Sequence, residues 1–67
     1  MDLISVHRVA ELKGEIGQYE EEKETIQNFI LEQQENIPKI VLDVLNKRIR
    51  MLRASIHANE ARLKAHE

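Results

Sequence analysis

The sequence predicts an all-α fold: an antiparallel helical hairpin, coiled-coil-like, assembling as a homo-oligomeric four-helix bundle. Three observations carry this expectation. Leu42, Leu45, Ile49, Leu52, Ile56, Asn59 and Leu63 recur at alternating steps of three and four residues. On a helix closing a turn every 3.6 residues, that spacing stacks the side chains into one stripe. Val9, Leu12, Ile16, Tyr19, Ile26 and Ile30 form a similar series earlier in the chain, with Lys23 as its one charged interruption. Between the two stripes stands Glu35-Asn36-Ile37-Pro38, where Pro38 lacks an N–H and pushes Ile37 out of the helical region.

The first helix is expected over about residues 3–35, with Asp2 favoured over Ser5 as its cap, because a side-chain oxygen can accept an orphan N–H of the first turn. Gly14 and Gly17 lie inside it and weaken its N-terminal third, each costing about 1 kcal/mol relative to Ala. Two readings of these glycines stand side by side: local flexibility, or a close approach of the second helix near Ala58 or Ala61. The connector is expected at residues 36–37 and the second helix over about 38–65, with Pro38 suited to a first helical position. So short a connector makes the helices antiparallel.

Charge supports the same reversal. Residues 1–36 hold three basic and nine acidic side chains, a net of −6, while residues 37–67 hold seven basic and three acidic, a net of +4. If the chain folds back near Asn36, residues whose numbers sum to about 73 or 74 lie side by side. That register sets Glu20, Glu21, Glu22 and Glu24 opposite the run Lys47, Arg48, Arg50 and Arg53. Exposed pairs of this kind select an alignment more than they stabilise it. The same register lays Ile30 on Val44 and Leu45, Ile26 on Arg48 and Ile49, Tyr19 on Ile56, Ile16 on Asn59, and Leu12 on Leu63. Arg48 and Lys23, flanking the stripe, read as side chains that extend along it towards water.

Apolar residues remain after that pairing. Phe29, Leu31, Ile40, Val41, Val44 and Met51 widen the apolar surface towards the turn, and Leu3, Ile4 and Val6 add more at the open end. Contiguous apolar surface of this kind marks an interface, and a chain of 67 residues buries too little on its own. The expected partner is a second copy, giving a two-fold dimer of hairpins, antiparallel so that one turn lies near the other copy's termini. A higher oligomer is the variant of this expectation. Asn59, a polar residue on the stripe, either fixes register by finding a mate in the assembly or is wetted by fraying near the C-terminus.

Composition narrows the chemistry. There is no Cys, so neither a disulfide framework nor a thiolate zinc site can form. No Gly-rich phosphate loop, nucleophile elbow or paired-histidine zinc motif occurs, so no catalytic residue, cofactor or metal is expected, and the chain is not expected to be an enzyme. His7 and His66 would meet at the open end but lack a third ligand, and they read, with His57, as surface histidines. No apolar run is long enough to span a bilayer and no signal peptide opens the chain, so a cytoplasmic protein is expected, of a bacterium or of an infected host cell.

The basic run on the second helix raises nucleic-acid binding. The predicted architecture resembles that of the plasmid copy-number regulators of the Rop type, small helical-hairpin dimers that bind paired RNA loops; no motif residues are shared. An acidic first helix and a sequence pI near 5.9 argue against nucleic acid as the partner. The expected function is a small regulatory or adaptor protein that binds another, unidentified protein, such as a bacterial or phage-encoded inhibitor, with Glu20, Glu21, Glu24, Arg50, Arg53 and His57 as its contact surface. The alternatives are a structural scaffold, a nucleic-acid-binding hairpin dimer, and a small-ligand-binding oligomer or sponge.

Overall fold

In the computed structural model, which describes residues 3–66, two helices account for nearly every residue: α1 over Leu3–Gln33 and α2 over Lys39–Ala65. They pack against each other as a hairpin. The expected cap Asp2 lies outside the described residues, as does the side chain of Leu3. The rod measures 51 × 15 × 13 Å, consistent with 31 residues of α1 rising about 1.5 Å each.

The turn is longer than the expected two residues. α1 ends at Gln33, whose carbonyl accepts the Asn36 N–H at 2.7 Å, and residues 34–38 make the reversal. Pro38 stands just outside α2 with an extended backbone, φ −56° and ψ 143°, so it is the N-cap and not the first helical residue. The reason is local. An extended proline still aims its carbonyl along the new helix, where it accepts the N–H groups of Val41 and Leu42 at 3.0 Å each. No side chain caps this end.

Packing follows the two stripes. Leu12, Ile49, Leu52 and Ile56 are the buried apolar residues, Leu12 at 0 % exposure, and Asn59 is buried among them. Leu42, Leu45 and Leu63 on α2, and Val9, Ile16, Tyr19, Lys23, Ile26 and Ile30 on α1, are half-buried. Every member of both predicted stripes is therefore turned inward, Lys23 included.

The glycines overturn one expectation. A methyl group built on Gly14 or on Gly17 meets nothing within 4 Å, so neither residue admits a close approach of α2 near Ala58 or Ala61. The physical reason is angular: residues 14 and 17 fall between the positions that face α2, on the outer side of α1. They contribute backbone freedom to the unfolded chain and no packing to the folded one. Gly14→Ala and Gly17→Ala are each expected to raise stability by about 0.5–1 kcal/mol. Thermal unfolding followed by circular dichroism reads this as a higher Tm for either variant.

Candidate functional site

Each helix of a hairpin has one neighbour, so the side chains flanking the contact stripe form two lateral faces. α1 and α2 each contribute one flank to either face. The hydrogen bonds and the surface troughs show how the flanks combine.

On the first face the charges are satisfied within the chain. Arg48 donates from Nε to Glu22 Oε2 at 2.5 Å and from Nη2 to Glu22 Oε1 at 3.1 Å, a two-point contact between a planar guanidinium and a carboxylate. Asn59 donates from Nδ2 to Glu15 Oε2 at 2.8 Å and accepts at Oδ1 from Arg62 Nη1 at 2.9 Å. Both polar ends of the buried amide are thus paired inside one chain, so Asn59 finds its mate in Glu15 of the same hairpin rather than in a further copy. Arg8 and Glu11 pair at 3.2 Å along α1 on the same side.

On the second face no ion pair closes among the described residues. A trough of about 610 Å³ is lined by Gln27, Asn28, Leu31, Asn46, Arg50 and Arg53, with Ile30 and Ile49 at its floor. Further from the turn, a smaller depression of about 280 Å³ brings Glu20, Lys23, His57 and Glu60 around Arg53 and Ile56.

This arrangement corrects the expected match between the acidic cluster and the basic run. Only Glu22 and Arg48 form an ion pair across the helices; among the described residues the other ion pair is Arg8–Glu11. Glu20, Glu21 and Glu24 on α1, and Lys47, Arg50 and Arg53 on α2, remain exposed. Consecutive residues on a helix are separated by about 100°, so four acids in five positions cannot all face one neighbour. Arg48, expected to extend along the stripe towards water, instead turns across it to Glu22. Glu15 was not singled out by sequence; its signal was a position beside Ile16 in the heptad, where charged residues flank a helix contact.

The apolar residues left over by the pairing are in water. Ile4, Val6, Phe29, Leu31, Ile40, Val41, Val44 and Met51 are all exposed, from 42 % for Val41 to 80 % for Ile4. Among the described residues no three metal-binding side chains converge, and no helix is long and apolar enough to cross a membrane. His7, His57 and His66 are exposed. The chain matches no protein-family model, no curated protein and no solved structure.

Two outcomes follow from the bonded face. A double-mutant cycle of Asn59→Ala and Glu15→Ala is expected to give a coupling of about 1 kcal/mol in chemical denaturation, since either single change strands a partly buried polar partner. The hydrogen bond from Arg48 holds the Glu22 carboxyl below its ordinary value of 4.5. A depressed carboxylate pKa adds stability above the unfolded value and loses it as pH falls through the folded one. The wild-type hairpin should therefore lose stability below about pH 4.5 more steeply than Glu22→Gln, as read by Tm against pH.

Proposed function

We propose that the chain is a non-enzymatic regulatory or adaptor protein that works by binding other proteins, and that its working form is a self-associated helical bundle, a homodimer of hairpins. The observation that carries this reading is an imbalance. Among the described residues, eight large apolar side chains are exposed while four are buried. A folded monomer of 7.8 kDa is expected to expose about 4,400 Å², yet the hairpin exposes 5384 Å². The excess is about 1,000 Å². A stable dimer removes about 800 Å² from each partner, so one self-contact returns the chain to ordinary proportions.

Elongation supports the same conclusion. The radius of gyration is 15.5 Å, where a compact chain of this length would have about 11 Å. With one lateral face bonded to itself and the other carrying Arg50, Arg53 and three amides in an open trough, the second face is the surface offered to a partner protein. Guanidinium groups suit a partner that presents carboxylates.

Sedimentation equilibrium should give a discrete species of twice 7.8 kDa at micromolar concentration. A monomer at every concentration would remove the basis of this reading, and open-ended growth with concentration would point to a scaffold instead.

A further inference from the structure

The outer side of α2 carries a third stripe, distinct from the contact with α1 and from the trough. Ile40, Val44 and Met51 are followed, at the same alternation of four and three residues, by Ala54, Ala58, Ala61 and Ala65. Lys47 completes the spacing between Val44 and Met51. All of these positions are exposed, Ile40 at 75 % and Val44 at 62 %. Bulk is therefore confined to the half of the stripe near the turn, and the half near the open end is alanine throughout.

Resting on the self-association proposed above, we infer that this stripe docks on the same stripe of a second copy, antiparallel, about a two-fold axis that passes between Met51 and Ala54. Reversal sets large on small at every level: Ile40 on the second copy's Ala65, Val44 on its Ala61, Met51 on its Ala54, and Lys47 beside its Ala58. Facing positions that alternate large and small interdigitate, which lets two straight helices stay at one separation along their length. A parallel docking would set Ile40 on Ile40 and Val44 on Val44 at one end and alanine on alanine at the other. Straight helices cannot close both.

Charge permits the contact as well. Arg48, which borders the stripe, already pairs with Glu22 of its own chain, so docking does not leave it an unpaired buried cation, and Arg62 on the same border is held by Asn59 Oδ1. Lys47 has a stem long enough to carry its ammonium past an alanine into water. The stripe runs the length of a helix of 27 residues, about 40 Å, and the excess area of about 1,000 Å² is of the size such a dimer contact removes.

Because the chain contains no cysteine, engineered thiols report the geometry without background. Chains carrying Val44→Cys and Ala61→Cys, mixed in equal amounts and oxidised, should give the mixed disulfide ahead of either symmetric one. Asn28→Cys in the opposite trough sets the reference rate. By sedimentation equilibrium Ala54→Glu, a change at a position exposed in the single hairpin, should raise the dimer Kd about tenfold or more, since it places a carboxylate against Met51 of the docked helix. Preferred symmetric linkage between two Val44→Cys chains overturns the antiparallel docking. A wild-type dimer whose 44–61 pair links no faster than Asn28→Cys, or whose Kd is unmoved by Ala54→Glu, overturns the stripe and leaves self-association standing. A wild-type monomer overturns both.

Discussion

A helix in a hairpin has a full circumference and a single neighbour, and this constraint governs everything else in the molecule. The contact between α1 and α2 covers one stripe on each helix, and it is narrow: Leu12 from one side, Ile49, Leu52 and Ile56 from the other, with Asn59 closing the row. The remaining circumference has to be satisfied by water, by intrachain bonds, or by another chain. On α2 the residue types divide accordingly, with arginine and amide groups on one flank, bonded arginines on the other, and an apolar outer stripe that no part of the same chain covers.

The polar contacts are best understood as alignment devices. An exposed ion pair such as Glu22–Arg48 contributes little net stability, because the charges are well solvated when apart. Its bidentate geometry nonetheless favours one longitudinal setting of the helices over others. Asn59 acts with greater penalty, since a slipped register would leave its buried amide and the Glu15 carboxylate without partners. Placing that lock within the hairpin means that the fold of one chain is specified before any second chain is met.

Most of this was legible in the residues. The α2 stripe from Leu42 to Leu63 is turned inward at each of its seven positions because strict three-four spacing has few other solutions on a helix. The exposed apolar set was legible for the same reason, as the remainder after subtraction. What was not legible lay in angle and in turn geometry. Glu20, Glu21 and Glu24 carry the same side chain as Glu22, yet only Glu22 of the cluster meets a guanidinium, because successive positions turn to different sides of the helix. The reading of Gly14 and Gly17 as contact points took a residue type as evidence of proximity, when their angular positions put them on the outer side. The turn runs over five residues rather than two: Pro38 caps α2 through its carbonyl from outside the helix, and at the other side the Asn36 N–H closes on the Gln33 carbonyl where α1 ends.

The two outward glycines bear on how the molecule comes apart. Opening begins where the fewest favourable terms are lost, and the stretch of α1 before Tyr19 combines weak helical preference with a thin contact, Leu12 being its one fully buried anchor. That stretch lies beside the C-terminal turns of α2, so its release would strip cover from Asn59 and Leu63 while the half nearest Pro38 stayed zipped. The hairpin is in this sense hinged like a clothes-peg, tight at the spring and yielding at the jaws. A cellular protease would find its first grip at the jaws.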